Sequence, residues 1–348
     1  MGSEGWNGEV GGASETVSCS LPPRWIHASP FDAGFLALGN MPPEKFGGLV
    51  LTRYGDCRAA LLSVGVRADN ARPSEGMLMS TEDLRFGGIA RLYGRDGLAR
   101  LAAAHVAVVG IGGVGSWAAE ALARSGVGEI SLFDLDDVCI TNTNRQIHAL
   151  EGAVGRPKVE AMAERIRAIN PACRVHAVAD FVTRETMADY ITEELDFVID
   201  CIDSVAAKAA LIAWCKRRKI GIVTTGGAGG QIDPTQIQVT DLNKTFNDPL
   251  AAKVRSTLRR DYGFSRTPGR HYSVPCVFSS EQLRYPKPDG TVCQNKGFVG
   301  EGVKLDCAGG FGAVMMVTAS FGMAAAAKAV DKLVAGARRP AERRSPEA

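Results

Sequence analysis

No C-x-x-C pair occurs in the 348 residues, although nine cysteines are scattered from Cys19 to Cys307. That scatter excludes the dense disulfide framework of a small secreted domain and gives no thiolate-zinc signature. No zinc is therefore expected, and a reducing cytoplasm is the expected compartment. An excess of one charge is missing too. The 40 Lys and Arg against 38 Asp and Glu leave a net +2, so any nucleic-acid partner has to be met by local basic clusters. The chain does not open on a basic segment followed by an apolar one, and no secretory signal is expected. A single run, "CAGGFGAVMMVTASFGMAAAA" from Cys307 to Ala327, lacks charge for long enough to cross a bilayer. Its Gly and Ala content suits a helix packed inside a core or a dimer interface equally well, and a buried helix without membrane insertion is the expectation.

What is present is a long, core-forming chain. At 45% hydrophobic residues it can bury one large or two ordinary domains. Residues 1–78 are rich in Gly, Pro and Ser, show no sustained period and read as a weakly ordered extension. Met79 stands directly before the first patterned residues, which makes it a candidate translation start. Residues 79–245 form the periodic part, 246–336 a substrate-facing and dimer-facing region, and 337–348 a disordered tail.

Strands are predicted at 105–109, 129–134, 174–178, 197–201 and 221–225. Helices are predicted at 116–124, 158–169, 184–194 and 206–218. Such alternation means an α/β fold with a doubly wound, mostly parallel Rossmann-like sheet. The stretch Gly229 to Leu242 adds antiparallel strand, and the apolar run supplies a C-terminal helix.

The stretch "HVAVVGIGGVGSWAAEALARSG" sets Gly110, Gly112 and Gly115 at G-x-G-x-x-G spacing between a strand and a helix. Glycines there let the backbone turn tightly and approach a phosphate at the helix amino end, where free N–H groups and the dipole favour anions. Asp134, at the end of the next strand, is placed to accept from a ribose hydroxyl. These features alone fit a nicotinamide or flavin dehydrogenase as well as an ATP enzyme.

The residues after Asp134 separate the two. "DLDDVCITNTNRQIHA" brings Asn142, Asn144, Arg145 and Gln146 just past the strand, and Lys158 follows Arg145 by thirteen residues. Hydride transfer has no use for extra cations beside the pyrophosphate. Nucleotidyl transfer does, because attack on the α-phosphorus drives charge onto its oxygens and onto the departing pyrophosphate. Asp203, in "FVIDCIDS", lies on the ligand-binding edge of such a sheet and offers a hard oxygen for Mg²⁺. Singly, Arg145 reads equally as a solvated arginine and Lys158 as a helix-start lysine. Asp200 reads as a cap or support, and Cys201 as a small core residue.

Gly110-x-Gly112-Gly113-x-Gly115, Asp134, "TNTNRQ", Lys158 and "CIDS" together resemble the adenylation domain of ubiquitin-activating enzymes. The bacterial relatives of those enzymes activate the sulfur carriers of thiamine and molybdopterin synthesis. More narrowly, "RFGGIARLYG", "DDVCITNTNRQIHAL" and "TTGGAGGQIDPTQIQVTDL" resemble the tRNA threonylcarbamoyladenosine dehydratases, over nearly all of 84–334. The resemblance implies adenylation of the substrate carboxylate by ATP, then cyclisation with loss of AMP, on ANN-decoding tRNA. It also implies a homodimer and leaves room for a sulfur-relay accessory protein. Carried over by position, Gly110, Gly112, Gly113 and Gly115 would cradle phosphate, and Asp134 would hold the ribose. Thr141, Asn142, Asn144 and Arg145 would hold the triphosphate, Lys158 would steady the α-phosphoryl transition state, and Asp203 with Ser204 would serve the metal and nucleotide. Arg145, Lys158 and Asp203 are the catalytic candidates.

Two departures from the wider family stand out. The paired C-x-x-C zinc ligands of the molybdopterin relatives are missing, and Gly88 occupies the slot of an arginine that reaches the neighbouring subunit's nucleotide, leaving Arg85 or Arg91 as substitutes. Cys276 lies where activating enzymes keep a thioester cysteine, although cyclisation of an adenylate needs no such intermediate and a structural or redox role is the alternative. As a thiolate it would need a cationic neighbour, His271 being the nearest in sequence. "KVRSTLRRDYGFSRTPGRH" gathers six basic residues with Tyr262 and Phe264, and offers Lys253, Arg255, Arg259 and Arg260 as candidate tRNA contacts, a solvated helix face followed by a mobile loop being the alternative.

Overall fold

The computed structural model describes residues 81–267, 269–287, 289–294 and 311–336. The N-terminal extension, the candidate start at Met79, Cys307, the first residues of the apolar run and the tail 337–348 lie outside the described residues.

A helix, α1 (Thr81–Ala103), broken at Gly94, leads into β1 (His105–Val109), α2 (Gly115–Arg124) and β2 (Glu129–Phe133). Then come α3 (Lys158–Ile169), β3 (Arg174–Val178), the single turn α4 (Met187–Tyr190), β4 (Phe197–Asp200), α5 (Val205–Arg218) and β5 (Gly221–Thr225). After these follow β6 (Ile237–Asp241), α6 (Pro249–Asp261), β7 (Pro275–Ser279), the small pair β8 (Tyr285–Pro286) and β9 (Val292–Cys293), and α7 (Met315–Val334). The main sheet runs β3-β2-β1-β4-β5-β7-β6, parallel except for β6 against β7. The order reverses between β1 and β4, and in sheets of this kind ligands bind outside the carboxyl ends of the strands at such a switch point.

Near-continuous apolar strands form because both sheet faces are covered. Val106 and Val108 face one core with Leu122, Ile130 and Phe321. Ala107 and Val109 face the other with Val198, Leu211 and Phe278. Residues 275–279 and 315–334 therefore complete the same sheet and core as the nucleotide-binding half.

The predicted helix over 184–194 shrinks to the four residues of α4. Thr186 Oγ1 donates to the Phe181 carbonyl, and Thr183 Oγ1 accepts the Glu185 amide. Hydroxyls that bond the backbone locally compete with the helix ladder.

The apolar run forms α7 later than its composition suggested, and its buried face is used within the chain. Val317, Phe321, Ala325 and Ala329 are fully buried. At Gly322 a Cβ would stand 2.5 Å from the Val114 carbonyl oxygen, so α7 crosses the start of α2 with no room for a side chain. Among the described residues no helix is long and apolar enough to cross a membrane.

Candidate active site

The carboxyl end of β1 runs straight into the glycine loop. Gly110 has φ +88°, and an added Cβ would meet the Cys201 carbonyl oxygen at 2.9 Å, so the loop lies against the turn after β4. At Gly115 a Cβ would stand 1.8 Å from the Gly110 oxygen, a clash of backbone with side chain that only glycine avoids. The loop thereby delivers the amino end of α2, whose early amides have no side-chain cap. A tight glycine loop that leaves helix amides uncapped is the kind of geometry that accepts an anion.

Asp134 stands one residue beyond β2 and is buried. Its Oδ2 accepts the Ile111 amide at 2.6 Å and its Oδ1 the Asp136 amide at 3.0 Å. Burial pushes its carboxyl above the usual carboxylate range, and the nearby Lys158 ammonium opposes this. Lys158, the first residue of α3, is also buried. Its Nζ pairs with Asp136 at 2.7 Å and lies 4.0 Å from Asp134. The expected ribose carboxylate and the expected transition-state cation thus stand together, the carboxylate bonded to the glycine loop.

Arg145 is held from three sides. Trp117 Nε1 of α2 and Thr318 Oγ1 of α7 both donate to its carbonyl, at 3.0 and 3.3 Å. Its guanidinium donates to the Thr141 carbonyl and to Asn144 Oδ1, and its stem lies against Gly113. Asn142 is buried and caps its own turn through the Cys139 amide, while Asn144 reaches the Ala313 carbonyl. Asp203 and Ser204 are exposed on the turn that abuts Gly110. An exposed carboxylate such as Asp203 offers a hard oxygen of the kind Mg²⁺ takes, an ion that keeps most of its waters.

Three residues that sequence reasoning passed over belong to this site or its floor. Asp136 is the partner of Lys158. Lys208 is fully buried in α5, with Nζ 2.9 Å from Asp200 Oδ2 and 3.1 Å from Thr224 Oγ1. Its signal was a lone charge inside the apolar run "AAKAALIAWC". Asp200 also accepts the Ile202 amide and so supports the turn bearing Asp203.

The third is His148, buried below the 140s turn, whose two ring nitrogens find no protein partner. Burial, with the Lys158 and Arg165 charges adding to it, pushes its pKa to about 4. The native state then holds it neutral while the unfolded chain protonates near 6.5. Its contribution is fully present above pH 6.5 and is lost as pH falls towards 4, by about 3 kcal/mol at the lower end. Urea midpoints between pH 7 and 4 check this, and His148→Phe is expected to flatten the decline.

Other expectations need correction. Cys276 is fully buried in β7, paired in register with Thr224 and Thr240. Burial pushes its thiol far up and outweighs the opposing charges of Lys208 and Arg255, while His271 is turned to Asp241 at 3.7 Å. The exposed thiol near the site is Cys139, lowered by the Thr141 hydroxyl that bonds its sulfur. Of the basic residues of α6, Arg255 is half-buried and bonded to Thr245, and Arg259 donates to Tyr272 Oη and Asn243 Oδ1. Both serve the fold. Lys253 and Arg260 remain exposed, the latter beside Asp261. Arg85 is tied to the Ile169 carbonyl at 2.7 Å, whereas Arg91 is exposed.

A doubly wound sheet with a phosphate loop at its switch point, an acid after β2 and a buried lysine beside it defines a nucleotide-binding α/β protein. Residues 88–344 match the model of the ThiF family, and the chain belongs to that family. It is 61% identical over 255 residues to the tRNA threonylcarbamoyladenosine dehydratase of Escherichia coli K12, spanning 73% of this chain and 95% of that protein. To the Haemophilus influenzae protein of the same name it is 53% identical over 251 residues, 72% and 93% of the two chains. Among solved structures it is similar to the E. coli dehydratase TcdA in complex with ATP. The TM-score there is 0.66 at 56% identity, over 74% of this chain and 97% of that one. The AMP complex of the same protein gives 0.65 at 57%.

Proposed function

We propose that this protein is an ATP-dependent tRNA threonylcarbamoyladenosine dehydratase. The adenylation half rests on one observation above others: Lys158 stands 4.0 Å from Asp134, which itself accepts an amide of the phosphate loop. The tRNA half rests on the likeness to dehydratases over nearly their whole length.

In this reading Asp134 accepts from the ribose hydroxyls, and the amides of residues 112–115 take the phosphates, the Ile111 amide being held by Asp134. The substrate carboxylate attacks the α-phosphorus and pyrophosphate leaves, while Arg145 and Lys158 take up the charge that develops. The carbamoyl group then attacks the acyl carbon, and AMP departs with one carboxylate oxygen. One water is lost overall. Asp203 would hold Mg²⁺, whose chemistry is to neutralise polyphosphate charge. No zinc enters this chemistry. Lys253 and Arg260, exposed on α6 in the 246–336 region, are the basic residues offered to tRNA, and the enzyme is read as a cytoplasmic homodimer.

Pyrophosphate release stimulated by tRNA that carries threonylcarbamoyladenosine, with a product nucleoside lighter by one water, is the expected result. Stimulation by a carrier protein ending in Gly-Gly, with no response to tRNA, overturns the substrate; reduction of a nicotinamide overturns the chemistry. Cys276→Ser is expected to cyclise at the wild-type rate, because a thiol with no exposed surface cannot reach an acyl adenylate. Single-turnover nucleoside analysis checks this, and a tenfold loss in that variant would restore the thiol to the mechanism.

A further inference from the structure

At the opposite end of the sheet from the phosphate loop, three strands present a second donor set. His105 opens β1 in register with Glu129 of β2, and His176 of β3 is in register with Ser131, two residues after Glu129. Side chains two apart on a strand, and those in register on neighbouring strands, share a face. The three therefore project together. His176 Nε2 lies 2.8 Å from Glu129 Oε1, and His105 Nδ1 lies 3.7 Å from the same oxygen. One ligand atom from each residue falls within 4.8 Å of the other two.

We propose that His105, Glu129 and His176 form a binding site for a divalent transition-metal ion of the zinc, cobalt or nickel kind. Bonds of about 2.0–2.1 Å at tetrahedral angles separate neighbouring ligand atoms by roughly 3.3 Å, and the two observed separations bracket that value. Two imidazoles with one carboxylate select borderline transition ions over Mg²⁺ or Ca²⁺, and three protein ligands leave a further position to water.

The surroundings fit an ion on these atoms. His105 Nε2 lies 2.8 Å from Ser131 Oγ. With Ser131 accepting that N–H, the tautomer leaves Nδ1 as a lone-pair donor towards Glu129, the outer partner a metal-bound histidine requires. Arg174 engages the other oxygen, Glu129 Oε2, and so leaves Oε1 to a single-oxygen bond. His105 and Glu129 are largely buried, whereas His176 is half-exposed and gives the ion a way in. His105, Glu129 and Arg174 line a groove of about 1860 Å³ whose walls also carry the carboxylates of Glu193, Glu194 and Asp196. The five-residue length of β1 puts this site roughly 17 Å from Gly110, at about 3.3 Å per residue. Its effect is to tie β1, β2 and β3 together; it has no part in nucleotide transfer. The proposal departs from the expectation of no zinc, which was argued from cysteine spacing alone.

Calorimetric titration of the full chain with Zn²⁺, and Co²⁺ absorption, test the site. One ion per chain is expected, with visible d–d bands and without the intense near-ultraviolet bands of thiolate ligation. His176→Ala and Glu129→Gln are each expected to weaken binding by roughly a hundredfold, and Ser131→Ala by about tenfold, the scale of an outer partner. Zn²⁺ is expected to raise the Tm of the wild type but not of His176→Ala, since an ion bound only by the native state stabilises it. His176 is exposed on the edge strand β3, so that variant retains the fold. Equal Zn²⁺ affinity in wild type and His176→Ala, or Co²⁺ bands of thiolate character, overturns the proposal.

Discussion

Replacing Lys158 by Ala is expected to cut turnover at least a hundredfold while the protein remains folded. The fold survives because each oxygen of Asp134 keeps an amide donor, from Ile111 and from Asp136, and because Asp136 itself is exposed and returns to water. What disappears is a buried cation 4.0 Å from Asp134, the acid proposed to hold the ribose. In a pocket shielded from water such a charge acts at much lower effective dielectric than on a surface. Loss of one preorganised electrostatic donor ordinarily costs about 10²–10³ in kcat, or roughly 3–4 kcal/mol of transition-state stabilisation. Because the charge develops during transfer, the loss should fall on kcat more than on nucleotide affinity. AMP release at saturating ATP, with ATP affinity measured separately by calorimetry, reads the two apart. Near-normal AMP release would remove Lys158 from the chemistry.

Lys208→Ala is expected to be the most destabilising single change among those considered. It leaves the Asp200 carboxylate, which has no exposed surface, with the Thr224 hydroxyl and the Ile202 amide as neighbours but no counter-charge. Breaking a buried pair by removing one partner costs about 3–5 kcal/mol, because the survivor stays buried and charged. For a domain of this size that corresponds to a fall in Tm of roughly 6–20 °C. The double variant Lys208→Met with Asp200→Leu should recover much of the loss, since an apolar pair of similar volume is often neutral. Calorimetric scans of both variants decide it: a single variant within about 2 °C of the wild type would show that Asp200 is not left charged.

These two lysines also mark how far the sequence could be read. Lys158 was legible because a helix-start lysine at a fixed remove from "TNTNRQ" has a reason in the chemistry of phosphate charge. Lys208 sits in a helix whose apolar period predicts only burial, and nothing local says that its ammonium reaches back to Asp200, eight residues earlier, and across to Thr224. Cys276 is the opposite case. Its position along the chain left a nucleophile and a structural residue both open, and the pairing of β7 with both β5 and β6 buries it completely. Arg255 and Arg259 counted as surface charge in a basic run, but the faces of α6 are assigned by contacts with Thr245, Asn243 and Tyr272, which lie on other segments.

The amino-acid sequence alone determined the alternation of strand and helix, the glycine loop after β1, the acid after β2 and the cations that argue for nucleotidyl transfer. Those features depend on neighbours within one or two turns, where propensity, period and spacing act directly. Tertiary structure alone decided which charges are paired, which thiol is buried, and that His105, Glu129 and His176 meet. Strands that adjoin in this sheet start 24 and 45 residues apart along the chain, and side-chain partners over such separations are fixed by register and packing, which no local pattern records.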